Sequence, residues 1–280
     1  MNLNPSLLTQ MVQMALAEDL GRRGDLTTEA TVRAETTAHA QMVAREAGVV
    51  AGMALAREAF VALDRTLEVR CLVQDGDVVR ASQPMLTVAG RASGILTAER
   101  VALNFVGHLS GVATLTAAFV EAIKPHPTQI VCTRKTIPGL RALQKYAVRC
   151  GGGFNHRFGL DDAILIKDNH IAIAGGIQRA LLAAKSVAGH LVKIEIEVDT
   201  LAQLEEALRE GVDIILLDNM SLEELQKAVQ INAGRALLEA SGNMSLERVN
   251  AVAATGVNVI SVGALTHSVK NLDIGLDITL

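Results

Sequence analysis

The sequence of 280 residues has no tryptophan and one tyrosine, and aromatic residues make up only 2% of it. Its core cannot be organised around large rings. Half of the residues are hydrophobic, so the core has to be built from Ala, Val, Leu and Ile, which suits helices layered on sheets. Cysteine is scarce as well, with Cys71, Cys132 and Cys150 far apart and odd in number. That spacing excludes a disulfide framework and a cysteine metal knuckle. It fits reduced thiols in a cytoplasmic protein. Long basic runs are missing and the net charge is -4, which argues against nucleic acid as a partner. No apolar stretch reads as long and uninterrupted enough to span a bilayer. The N-terminus, MNLNPSLLTQMVQMALAEDL, has no basic segment ahead of an apolar run, so no secretory leader is expected.

What is present divides into two halves. Residues 5 to 18 predict a helix, with Pro5 in its first turn and Leu7, Leu8, Met11, Met14 and Ala15 forming an apolar stripe. AQMVARE, LEVRCLV and PMLTVAG predict strands, separated by the AREAF helix and the QDGD turn. A long helix follows over residues 97–122, which Gly107 and Gly111 are expected to bend or interrupt. From Thr128 the pattern becomes repetitive. TQIVCT, AILIK, VKIEIEV, VDIILLD, RALLEAS and VNVISVG predict strands, with amphipathic helices between them. Alternation of this kind means βα units and a parallel sheet. Right-handed crossovers can close such a sheet into a barrel, and an open doubly wound sheet is the alternative. No GxGxxG joins a strand to a helix to favour a dinucleotide site.

In each βα unit, polar residues or glycines stand just past the strand. They are Thr133, Arg134 and Lys135, then Lys167 to His170, then Glu197 and Asp199, then Asp218 and Asn219, then Ser241 and Gly242, then Gly263. A single such residue is ordinarily a helix cap or a solvated loop. A succession of them marks the catalytic face of an α/β barrel. In VKIEIEV, alternation puts Lys193, Glu195 and Glu197 on one face. We expect Lys193 and Glu195 to form a structural pair deep in the lumen, with Glu197 functional above them. Arg141, Lys145 and Arg149 recur at helical spacing and read as solvated or dipole-complementing. Arg134, Lys135, His156, Arg157 and Lys167 fall in loops or at strand ends. Guanidinium forks in such places suit carboxylates and phosphates, so the ligand should be a polyanion. SGNMS (241–245) and VGALTHS (262–268) offer backbone N–H groups to phosphate. CGGGFNHR (150–157) suits a loop passing close to a ligand.

TRKTIPGLRALQKYAVRCGGGFNHRFGLDDAILIKDNHI, continued by EIEVDT, ILLDNM, EASGNM and SVGALTHS, resembles the signature region of quinolinate phosphoribosyltransferases, decarboxylating enzymes of NAD synthesis. EDLGRRGDLTT and TAERVALN resemble that family's N-terminal domain, so the resemblance covers nearly the whole chain. It implies an α/β fold with an N-terminal α/β sandwich over residues 1–111 and a C-terminal, incomplete TIM-like barrel over 112–280, the last residues being free to return to the first domain. It also implies a cytoplasmic homodimer, open to higher assembly, in which Arg100 reaches a neighbour's active site. Carried over by residue, Arg100, Arg134, His156 and Arg157 would hold the two carboxylates of quinolinate. Lys135 and Lys167 would add positive potential, and Thr133 would stand beside them. Glu197 and Asp218 would bind the ribose of phosphoribosyl pyrophosphate and Mg2+, directly or through water. Ser241, Gly242, Asn243, Gly263 and Ala264 would cradle its 5′-phosphate, with His267 supporting that loop or contacting a phosphate. Lys135, Lys167, Glu197 and Asp218 are the expected catalytic residues. Two rivals share the architecture: a nicotinate-type phosphoribosyltransferase, and a relative that binds an anion without turnover.

Overall fold

The structure, a computed structural model, describes residues 3–279. In chain order it begins with helices α1 (Pro5–Leu20) and α2 (Leu26–Thr31), strands β1 (Thr37–Ala44) and β2 (Gly48–Val49), helix α3 (Met53–Leu63), strands β3 (Glu68–Cys71), β4 (Val78–Val79) and β5 (Pro84–Arg91), and helix α4 (Ala92–Ala122). Then come β6 (Gln129–Val131), α5 (Arg141–Cys150), β7 (Ile164–Ile166), α6 (Asp168–Ala174) and α7 (Ile177–Val187). The chain ends with β8 (Ile194–Val198), α8 (Leu201–Glu210), β9 (Ile214–Asp218), α9 (Leu222–Asn232), β10 (Leu237–Ser241), α10 (Leu246–Ala253), β11 (Val259–Ser261), α11 (Ala264–His267) and β12 (Ile274–Thr279). These elements form two compact units. One comprises the chain up to Ala117, Ala142–Gly152 and the chain from Val269, and the other comprises Ala118–Arg141 and Gly153–Ser268.

In the first unit, a four-stranded antiparallel sheet runs β12-β1-β5-β3. Alternation along β1 buries Ala38, Ala40 and Met42 on one face. Helix α3 packs on β3 and on α1, burying Leu55, Ala56, Ala59 and Phe60. Asn4 caps α1, its side chain accepting the Ser6 N–H at 2.9 Å. Helix α4 starts five residues earlier than the sequence predicts and runs unbroken through both glycines. Gly107 and Gly111 are there for close approach rather than bending. A Cβ at Gly111 would overlap the Lys270 carbonyl oxygen, and one at Gly107 would lie 3.2 Å from that of Leu272. The Leu272 N–H donates to the Gly107 carbonyl at 2.9 Å. Gly111→Ala should therefore lower stability by about 1–3 kcal/mol through overpacking against backbone, read as a fall in Tm at unchanged helix content.

One sequence expectation needs correction here. Helix α4 is long and apolar enough to cross a membrane by length and composition, with a mean hydropathy of 1.4. Its apolar residues, among them Ile95, Ala98, Ala102, Val106 and Leu109, are buried in the protein, and that burial explains the composition.

In the second unit, six parallel strands run β6-β11-β10-β9-β8-β7. Each strand from β7 to β11 lies beside its sequence neighbour, and β6 returns beside β11. A doubly wound sheet would reverse its order at a switch point, whereas this order winds one way, as an incomplete barrel does. A single bridge between Val131 and Phe154 sets the segment after Gly153 beside β6. Capping boxes start α8 (Thr200 with Gln203) and α9 (Ser221 with Glu224). They end the loops above β8 and β9 sharply, which leaves the ends of those strands facing inward.

Candidate active site

The ends of all six parallel strands surround one cavity of about 300 Å³. Thr133, Arg134 and Lys135 reach it from the end of β6, and His156 and Arg157 from the segment beside β6. Lys167 follows β7, Glu197 lies on β8, Asp218 closes β9, and Ser241 closes β10. Nine expected site residues are thus brought together from elements spread between Thr133 and Ser241.

The cationic wall has donors to spare. The buried Nε of Arg134 and the buried Nε of Arg157 have no hydrogen-bond partner. Burial, then repulsion from Arg134, pulls the Arg157 guanidinium below its ordinary pKa, with Glu195 and Asp162 opposing. Arg157 keeps its fork in place by donating from Nη1 to the Ala163 carbonyl at 3.1 Å. Lys167 Nζ donates to Glu197 Oε2 at 3.0 Å. Asp218 accepts from Asn219 Nδ2 at 2.7 Å. The two carboxylates stand at the ends of adjacent strands on one cavity wall. A hard cation that keeps its own water and takes substrate oxygens fits such a pair.

The phosphate-type turns lie beside these residues. Gly242 has φ 93°, and a Cβ there would overlap the Asn219 side chain, so only glycine fits. Asn243 takes φ 46° and lies 3.5 Å from Asn219 Oδ1 through its Nδ2. Gly263 precedes α11, which starts at Ala264. A Cβ on Gly263 would sit 3.1 Å from His267 Nε2 and 3.3 Å from Lys135 Cδ. His267 and Lys135 therefore close around this turn, and Thr266 Oγ1 ties it to the Lys135 carbonyl at 2.7 Å. Arg100 is exposed on α4 in the first unit and is not among the residues around the cavity.

Three expectations differ from the structure. Lys193 pairs with Asp213 at 2.6 Å, both partly exposed, and not with Glu195. It stands at the entry to β8, where water competes for its charge, whereas Glu195 lies a step deeper. Arg141 is not simply solvated. It donates to Thr136 Oγ1 and to the Phe158 carbonyl, both at 3.0 Å, tying down the loops that carry Arg134 and Arg157, while Lys145 is buried. Within the glycine run, Gly151 serves packing, since a Cβ there would overlap the Ala113 carbonyl oxygen, while His156 and Arg157 after it line the cavity.

The true partner of Glu195 is His156. His156 Nε2 lies 3.1 Å from Glu195 Oε2 and 3.7 Å from Glu239 Oε1. Its Nδ1 accepts the Arg157 N–H at 2.7 Å, so the neutral ring carries its proton on Nε2. Both carboxylates are buried, and each has one oxygen without a partner. Among the described residues this is the group of three whose ligand atoms come within 4.8 Å of one another. Burial first, then repulsion from Glu195, pushes the Glu239 carboxyl up from 4.5 to about 7, against the pull of His156. A folded-state value above the unfolded one gives stability that is complete below about 4.5 and is lost as pH rises through about 7. Tm should fall between about pH 4.5 and about pH 7, and Glu239→Gln should flatten that fall.

Glu239 was missed in the sequence, although it shows the same signal as Glu195: one charge inside an apolar strand, on the face that carries Ser241 two residues later. Asn219, which knits Asp218 to the Gly242 turn, carried no signal beyond its place after the strand.

The chain is similar to known proteins over nearly its whole length. The model of the quinolinate phosphoribosyl transferase C-terminal domain matches residues 112–277, and that of the N-terminal domain matches residues 25–110. A nicotinate-nucleotide pyrophosphorylase [carboxylating] of Mycobacterium leprae is 50% identical over 95% of this chain and 95% of its own. A tobacco protein named quinolinate phosphoribosyltransferase [decarboxylating] 2a, mitochondrial, is 44% identical over 97% of this chain and 82% of its own. The crystal structure of NadC from Streptococcus pyogenes superposes with a TM-score of 0.96 at 41% identity, covering 100% of this chain and 99% of that one. The human nicotinic acid phosphoribosyltransferase structure, at 16% identity and a TM-score of 0.61, shares the fold alone.

Proposed function

The chain belongs to the quinolinate phosphoribosyltransferase family, and we propose that the cavity at the strand ends of its second unit is where quinolinate meets phosphoribosyl pyrophosphate. The enzyme is a pentosyltransferase of NAD biosynthesis. It forms nicotinate mononucleotide from these two substrates and releases pyrophosphate and CO2.

The observation that carries the assignment is the pair of buried, unpartnered guanidinium Nε groups of Arg134 and Arg157 on one cavity wall. A buried donor without an acceptor costs free energy until a ligand supplies one, and two such cations side by side call for a dianion. Arg134, Arg157 and Arg100 bind the two carboxylates of quinolinate, with His156 at the floor beneath them. Lys135 and Lys167 hold the pyrophosphate, and the turns at Ser241–Asn243 and Gly263–Ala264 take the 5′-phosphate through backbone N–H groups. His267 supports the second turn, and Thr133 fixes Lys135 by accepting its N–H at 3.0 Å.

Glu197 and Asp218 hold the ribose hydroxyls and would also hold Mg2+, which would supply charge neutralisation for the leaving pyrophosphate. The chain itself does the rest. Glu197 and Asp218 face positive charge that develops at the ribose carbon, a preorganised stabilisation that needs no rearrangement. The lysines favour departure of the pyrophosphate. The ring nitrogen then becomes cationic, and that charge stabilises the electron pair left when the adjacent carboxylate departs as CO2.

The active form is a homodimer in which Arg100 serves the partner's cavity. Turnover of quinolinate with phosphoribosyl pyrophosphate and Mg2+, followed as nicotinate mononucleotide and CO2 with nicotinate as competitor, tests the pocket. Preference for quinolinate supports the dicarboxylate assignment, and preference for nicotinate would overturn it.

A further inference from the structure

We propose that Glu239 is the acid that delivers the proton to the ring carbon vacated by CO2, and that a second cavity, at the opposite end of the barrel, returns the proton from solvent. This inference rests on the assignment of the substrate cavity above.

The reaction needs such a donor. The bond between the ring and the carboxylate next to nitrogen breaks, CO2 leaves, and the electron pair stays on the carbon. That pair must then take a proton. A cavity filled by two substrates has little room for water, so the proton comes from the wall. The candidates there differ sharply. Arg134 and Arg157 do not release protons near neutrality. Lys135 and Lys167 serve the pyrophosphate in the assignment above, and Lys167 is also engaged with Glu197 at 3.0 Å. His156 directs Nε2 at Glu195, 3.1 Å away, and its other nitrogen accepts the Arg157 N–H. Glu239 faces the cavity, is 4% exposed, and its Oε1 has no hydrogen-bond partner.

The groups that face Glu239 are consistent with this role. Glu195 on β8 repels its negative form, while His156 from the segment beside β6 and the Ser261 hydroxyl on β11 favour it. β9 brings no titratable side chain of its own against it: its cross-strand neighbour there is Leu216. The balance, dominated by burial, keeps the carboxyl protonated in a large fraction of molecules near neutrality. Once the C–H bond has formed, Glu239 is a carboxylate two residues below Ser241.

The route for its reprotonation is also in place. A lower cavity of about 320 Å³ opens at the strand entries and is lined by Gln129, Asp162, Lys193 and Glu195. His156, Arg157 and Glu239 line both cavities. Glu239 therefore has one side toward the substrates and one toward the open cavity at the strand entries, whose largely apolar lining carries these few polar groups. Water entering there gives Glu239 its proton back, so each turnover consumes one proton from solvent and the acid is restored.

The test is the pH dependence of kcat between pH 5 and pH 9 for the wild type, Glu239→Gln and Glu195→Gln, with quinolinate saturating and its equilibrium binding measured separately. A donor must be protonated, so the wild-type rate should fall as pH rises through the range in which Glu239 ionises. Glu239→Gln should lower kcat by about 100-fold, bind quinolinate within about twofold of wild type, and lose that alkaline limb. Glu195→Gln removes the repelling charge, so the limb should move to lower pH. This variant also serves if Glu239→Gln does not fold, because a merely structural Glu239 would give no such shift. A wild type that turns over quinolinate while Glu239→Gln keeps its rate and its alkaline limb would overturn the proposal and leave the cavity assignment standing. A wild type without quinolinate turnover would instead remove the assignment on which it rests.

Discussion

Glu197→Ala is expected to lower kcat by about 100-fold or more with little change in Tm. The two halves of that expectation have separate causes. For stability, Glu197 has one ion-pair partner, Lys167, whose side chain is 48% exposed. Such a pair contributes about 0–1 kcal/mol, and its loss leaves Lys167 free to reach water. For catalysis, Glu197 stands on the same wall as Asp218, where the ribose carbon becomes positive as pyrophosphate departs. A carboxylate fixed there by β8 stabilises the transition state more than the ground state, which is the condition for raising kcat. Glu197→Gln separates charge from shape. It keeps the side chain's volume and can still accept from Lys167, and it should lose nearly as much activity as the alanine variant. A glutamine variant with near-normal kcat would reduce Glu197 to a hydrogen-bonding role and overturn the electrostatic one. The measurement is steady-state kcat with both substrates saturating, together with thermal melts of all three proteins.

The strands and helices of the second unit were legible because each obeys a single period. VKIEIEV alternates, LAQLEEALRE opens with Thr200 and Gln203 three residues apart, and both occur where the pattern puts them. The strand-end residues were legible for the same reason, since the end of a predicted strand fixes which side chains reach the catalytic face. Partners inside the lumen were not. Alternation says that Glu195 points inward, but not that His156, from a segment attached by one bridge to β6, will meet it in place of Lys193. Glycines were misread in the same way. Gly107, Gly111 and Gly151 look like hinges or ligand loops in a linear sequence, but a carbonyl from a distant segment packs closely against each, and at Gly111 and Gly151 it leaves no room for a Cβ. Local chemistry predicts what a residue prefers. Which distant backbone comes to lie against it is decided by the whole fold.

Arg100→Ala should also lose about 100-fold or more in turnover of quinolinate, and its defect should be repairable by another inactive subunit. Arg100 is exposed on α4 and has no place among the residues around the cavity of its own second unit. That cavity must hold two polyanions. Lys167 is already partly neutralised by Glu197, so the remaining cations leave the substrates' charge incompletely matched. A guanidinium from a second copy supplies the missing fork, and a two-fold dimer provides it to both sites at once. If subunits of Arg100→Ala and Glu197→Ala are mixed and allowed to exchange, half of the dimers are mixed. Each mixed dimer then has one cavity with both defects and one with neither. The mixture should regain about a quarter of wild-type activity, although each parent is nearly inactive. Co-expression with two different tags, followed by purification through both, isolates the mixed dimer and should double that figure. Mixed dimers as inactive as their parents would place Arg100 in its own subunit's site or in none.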